Sequence, residues 1–181
     1  LFRSGLRHDG TLPSTNNYYA GHENWGPIMG GGATNAVSQW SNGNYPSANR
    51  AEDDLGIIAS NGAALIADDY GDNSIDAHAT ALSSPISGVI TTEGDVDVFE
   101  IEAGPGTLNL RATPAAYSPN LDIKLQVQSA DGTVLAESDP LSDEANMQVG
   151  WVTSTSTGMG AAIDYVMASA GTIYVVVDGV G

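Results

Sequence analysis

The chain contains no cysteine, so neither disulfides nor thiolate metal sites are open to it. That absence does not argue against secretion from a bacterium, because a chain of 181 residues can bury a core without covalent staples. Basic residues are almost as scarce: five Lys and Arg stand against 22 Asp and Glu, for a formal net charge of -17. Such a surface repels phosphate backbones and argues against a nucleic-acid partner. It suits a secreted, extracellular protein in salty or calcium-containing surroundings, although plain solubility accounts for most of the carboxylates. No apolar run approaches the roughly 20 residues that span a bilayer, so no membrane partner is expected. The first residue is Leu1 rather than Met, with no basic or apolar targeting pattern behind it, which reads as an internal segment of a longer protein.

What is present changes character along the chain. Residues 1–66 are rich in Gly, Asn, Ser and aromatics, among them Tyr18, Tyr19, Trp25, Trp40 and Tyr45, and show almost no strand alternation. They read as structured loop with one helix, from Ala48 to Ile58, capped by Ser47 and stopped near Gly62. The polar stretch Asp68-Asp69-Tyr70-Gly71-Asp72-Asn73 reads as a turn or linker. Beyond it strands dominate. Leu121, Ile123, Leu125 and Val127 alternate with Asp122, Lys124, Gln126 and Gln128, the pattern of a half-buried strand. Asp131-Gly132 signals a hairpin that returns through 133–136. Further strands are expected over 96–101, 107–112, 163–167 and 172–177. The predicted fold is mainly β, an antiparallel β-sandwich over 67–181 preceded by a loop-rich, partly helical domain over 1–66.

Two motifs in the first part carry chemistry when taken together. Gly5-Leu6-Arg7-His8-Asp9-Gly10 is followed, about twenty residues later, by Pro27-Ile28-Met29-Gly30. Alone, a histidine beside a glycine turn is usually a surface or packed residue, and a methionine between Ile and Gly usually fills core. Together they resemble the metzincin zinc endopeptidases, especially the reprolysin-like branch, whose motif H-E-x-x-H-x-x-G-x-x-H-D is followed by a Met-turn. Gly5 matches the family glycine, His8 the third zinc-binding histidine, Asp9 the acid after it, and Met29 the Met-turn. The stretches 39–45 and 53–58 also resemble the end of bacterial catalytic domains. The resemblance implies zinc in the intact parent, a protein or peptide substrate, and a substrate-pocket wall formed by Gly30, Gly31, Gly32 and Ala33, whose small size leaves room.

In that chemistry two histidines one helical turn apart grip zinc, and a glutamate beside the first is the general base. Zinc lowers the pKa of its bound water and polarises the scissile carbonyl. This sequence departs from the pattern. Phe2 stands where the second histidine belongs, and the first histidine and the glutamate would precede Leu1. The chain is therefore expected to bind no catalytic zinc and to cleave nothing by itself.

From residue 68 onward the sequence resembles a bacterial pre-peptidase C-terminal domain. The matching pieces are 68–73, 79–82, 88–90, 95–99, 120–123, Asp131-Gly132 and 171–175, in that order. The resemblance implies a small β-sandwich accessory to a secreted protease, with calcium or an extracellular matrix or polysaccharide ligand as further expectations. Asp95 and Asp97 fall on one face of a strand, and the Asp68–Asp76 linker could add oxygen ligands for calcium. The plainer expectation is a solvated strand edge beside a polar linker. A late strand over 172–177 with no successor before Gly181 is expected to leave an unpaired apolar edge, and with it self-association. His22 and His78 have no partner at metal spacing, and Gly30-Gly31-Gly32 lacks the Lys-Ser/Thr of a phosphate loop. The alternative function is a non-catalytic extracellular binding module.

Overall fold

The computed structural model describes residues 5–13, 17–22, 25–32, 35, 37–81, 84–117, 119–139 and 159–180. Contacts divide the chain into two compact units, with the main boundary between Ile66 and Ala67.

The first unit is mostly loop, tied by hydrogen bonds rather than by long ladders. Its short strands β1 (Trp25–Pro27) and β2 (Val37–Gln39) pair in parallel, Trp25 opposite Val37. Tyr45 anchors the interior: its ring stacks on Tyr19 with centroids 4.5 Å apart, and its hydroxyl donates to Gly10 O at 2.9 Å. The helix α1 runs Asp54–Ser60, later and shorter than the predicted span from Ala48. Ser47 has φ +59°, a left-handed conformation that cannot serve as a helix cap. Residues around it are instead tied to the segment after His8. Leu12 N donates to Ser47 O, Asn49 N to Gly10 O, and Gly10 N to the Asn49 side chain. Those bonds consume the backbone groups that a helix would need, so winding begins only after Asp53. It ends at Asn61, with Gly62 in the left-handed region just beyond.

The second unit is mainly β. In chain order it contains β3 (His78–Thr80), β4 (Val96–Ala103), β5 (Gly106–Ala112), β6 (Asp122–Gln128), β7 (Val134–Ser138), β8 (Ala161–Met167) and β9 (Gly171–Val180). One sheet has the order β3-β4-β9-β6-β7 and a second pairs β5 with β8. Period-two alternation decides what each strand buries. Ile123, Leu125 and Val127 of β6 join Phe99, Ile101 and Ala103 of β4, Ile173 and Val175 of β9, and Ala161, Ile163 and Met167 of β8 in one apolar cluster. Leu108 and Leu110 of β5 pack against it, so both sheets share that core.

Two expectations are corrected here. The larger sheet is mixed rather than antiparallel, because β3 runs parallel to β4 with His78 opposite Phe99. The remaining pairs, β4 with β9, β6 with β9, β6 with β7 and β5 with β8, are antiparallel. The last strand is also not an edge. β9 lies between β4 and β6 and is bonded on both sides, so the apolar edge expected there is already paired. The edges of this sheet are β3 and β7.

Candidate metal centre

β4 carries an irregularity in its inward row. Asp97 shares the face of Phe99, Ile101 and Ala103, a position where the alternation calls for an apolar side chain. Asp95 sits one inward step earlier, in a turn closed by Asp95 N donating to Thr92 O. Both carboxylates are buried, 5% and 3% exposed, which overturns the expectation of a solvated strand edge. Asp95 Oδ2 accepts from the Thr91 N–H and hydroxyl. Asp95 Oδ1 and Asp97 Oδ1 are buried with no hydrogen-bond partner.

The segment from Asp68 to Asp72 is fastened against these two residues. Tyr70 anchors it, its ring 4.9 Å from that of Phe99 and its hydroxyl donating to Ser87 O at 3.1 Å. Val98 N donates to Gly71 O at 3.0 Å and Val89 N to Asp69 Oδ1 at 3.1 Å, while Tyr70 N donates to Asp68 Oδ1 at 3.0 Å. The result is a cluster of two carboxylate trios. Oxygens of Asp68, Asp72 and Asp95 lie within 4.8 Å of one another, as do those of Asp68, Asp69 and Asp97. Burial pushes the Asp97 carboxyl up to about 7, reinforced by the charges of Asp69, Asp95, Asp68 and Asp72.

A buried carboxylate oxygen without a partner costs free energy that a proton or a cation can relieve. Oxygens up to 4.8 Å apart can share one ion at the roughly 2.4 Å bond length of calcium. The donors are all hard carboxylate oxygens, which suit calcium far better than zinc. Asp97 Oδ2 faces Gly88, where an added Cβ would fall 2.5 Å from it. Glycine at 88 thus leaves the carboxylate its position.

The residues expected around zinc are partly brought together. Asp9 N donates to Met29 O at 3.0 Å, Tyr19 N to Asp9 O at 2.6 Å, and Gly31 N to Tyr19 O at 2.6 Å. Gly30 N donates to Pro27 O and closes the Met29 turn. His8 itself is exposed, its Nε2 3.4 Å from the Tyr18 hydroxyl. Among the described residues it belongs to no group of three metal-capable side chains, which does not fit the multidentate grip that zinc requires. Phe2 lies outside the described residues. Asp9 is buried with Oδ2 unpartnered, and burial, then the charges of Asp54 and Glu52, raise it to about 6.

At the expected pocket wall, the space beside the glycines is taken by backbone. A Cβ at Gly30 would fall 2.5 Å from Tyr19 O, and one at Gly32 would fall 2.6 Å from the Gly26 carbonyl carbon. Ala33 lies outside the described residues. His22 bonds Tyr19 Oη through Nδ1 at 2.9 Å, and the His78 ring lies 5.1 Å from Tyr70.

Sequence reasoning found Asp95 and Asp97 but treated Asp68, Asp69 and Asp72 as linker. The available signal was the phase of Asp97, which matches Phe99 and Ile101 and so marks a buried charge in need of a partner. Comparison of the chain with protein-family descriptions, curated proteins and solved structures found no match.

Proposed function

We propose that this chain is the C-terminal part of a secreted, metzincin-type zinc endopeptidase joined to a pre-peptidase C-terminal β-sandwich, and that the sandwich holds calcium. The observation that carries the calcium reading is the pair of buried, unpartnered oxygens on Asp95 and Asp97, aimed into a cluster with three further aspartates. Two sheets around one apolar cluster support the sandwich. The bond from Asp9 N to Met29 O supports the protease reading, because it holds the residue after His8 against the Met29 turn.

On this reading the chemistry divides. Proteolysis belongs to the parent, in which zinc supplies an activated water and a polarised carbonyl. The chain itself contributes one candidate ligand, His8, and a cation-stabilised accessory unit. Calcium at a hundred times its dissociation constant stabilises a protein by about 2.7 kcal/mol, so titration should raise the melting temperature. No change on titration refutes the calcium reading. For the protease reading, the coding sequence ahead of Leu1 should encode H-E-x-x-H, and the longer protein should cleave peptides in a zinc-dependent way. An unrelated domain at that place refutes it.

The alternative is a non-catalytic extracellular module that binds protein or polysaccharide. It keeps the cation and the sandwich and drops the protease. A groove on the larger sheet favours giving it a place.

A further inference from the structure

The outward face of the larger sheet carries a groove of about 400 Å³. Its floor is Val96 and Val98 of β4 and Val176 of β9. Its walls are the loop after Gly71 and the β6–β7 hairpin, which are joined where the Ser74 hydroxyl donates to Ala130 O at 3.3 Å. Three carboxylates line it: Asp72 on one wall, Asp131 on the other, and Asp178 beside Val96 in the sheet register. Among the described residues, none of these three makes an ion pair. The nearest cation along the sheet, Lys124, is opposite Asp178 in register but pairs with Glu137 at 3.7 Å. Asp131 is held as a carboxylate below its ordinary range by the Ser129 hydroxyl and Thr133.

An apolar floor with charged walls of one sign matches one kind of side chain. Lysine and arginine lay an aliphatic stem along apolar surface and present a cationic head at its end. The volume is that of a site for a small ligand or a few peptide residues rather than for a lone ion. No aromatic ring lines the groove to stack against a sugar face. We infer that this groove binds a lysine- or arginine-bearing segment of another protein, the stem on Val98 and Val176 and the head between Asp178 and Asp131. The inference does not depend on the protease reading. It touches the cation cluster only through Asp72, which belongs to both.

The test is an amide NMR titration of the full chain at fixed ionic strength with saturating calcium. The probes are acetyl-Gly-Lys-Gly-amide, its arginine counterpart, and norleucine and glutamate counterparts. The two cationic peptides should shift the amides of Gln126, Gly132, Val176 and Asp178 saturably. The norleucine and glutamate peptides should not. Asp178→Asn should weaken binding roughly threefold to fivefold, the size of one exposed charge pair. Should that variant lose native dispersion, Asp131→Asn gives the same reading from the opposite wall. Four outcomes overturn the proposal: no saturable shift, equal shifts with norleucine, saturation by a soluble oligosaccharide instead, or an unchanged affinity in a folded variant.

Discussion

Asp97 concentrates the physical tension of the second unit in one residue. A carboxylate on the core face of β4, 3% exposed and with an oxygen unpartnered, is tolerable only when protonated or shared with a cation. Replacing it by asparagine removes the charge while keeping the shape. Asp97→Asn should therefore raise the melting temperature in chelator-treated buffer and abolish the further rise on adding calcium. A purely structural carboxylate gives the opposite pattern, a loss in both buffers, so differential scanning calorimetry with and without calcium separates the two. The residue was legible in the sequence because strand alternation fixes which face it occupies. Its partners were not, because Asp68, Asp69 and Asp72 reach it through loop bonds to Val98, Val89 and Tyr70 that no local pattern encodes.

At the scale of elements, the strands were legible wherever alternation was clean and turn chemistry was local. In β6 three alternate apolar residues are all buried, and Gly132, with φ +81°, supplies the left-handed residue of the following hairpin. The helix was misread because its boundary is set from a distance. Gly10 and Leu12 capture the backbone around Ser47, and no propensity within 46–58 reports that. The order of strands was hidden for the same reason: β9 is central because β4 and β6 flank it from far earlier in the chain. Gly132→Ala should cost about 1–2 kcal/mol through backbone strain alone, since a Cβ there meets nothing within 4 Å. Gly104→Ala, equally open but without positive φ, should be nearly neutral. Leu125→Ala, in the centre of the shared core, should cost about 2–5 kcal/mol. Chemical denaturation of the three variants checks the order.

For the whole molecule, a net charge of -17 makes cations and protons rival means of relieving the same repulsion. Asp97 has a folded value near 7 against an ordinary 3.8, raised by burial and by four neighbouring aspartates. The folded state therefore holds more protons than the unfolded state between those limits, and stability falls as pH rises through that window. In cation-free buffer the stabilisation from this group is complete below about pH 4 and is lost as pH climbs through 7, a difference on the order of 4 kcal/mol. Calcium reverses the sign, because it binds the deprotonated cluster and competes with the proton for the same oxygens. Groups elsewhere titrate as well, and Asp131, held low by its hydrogen bonds, works in the opposite direction at lower pH. The measurement must therefore be local. Amide exchange in β4 and β9, corrected for its intrinsic pH dependence, should show less protection at pH 7.5 than at pH 5.5 in chelator. With saturating calcium it should show more protection at pH 7.5 than at 5.5. Identical pH trends in the two buffers would mean that the acidic cluster holds no ion, and the charge that the sequence displays so plainly would then be no more than a solvated surface.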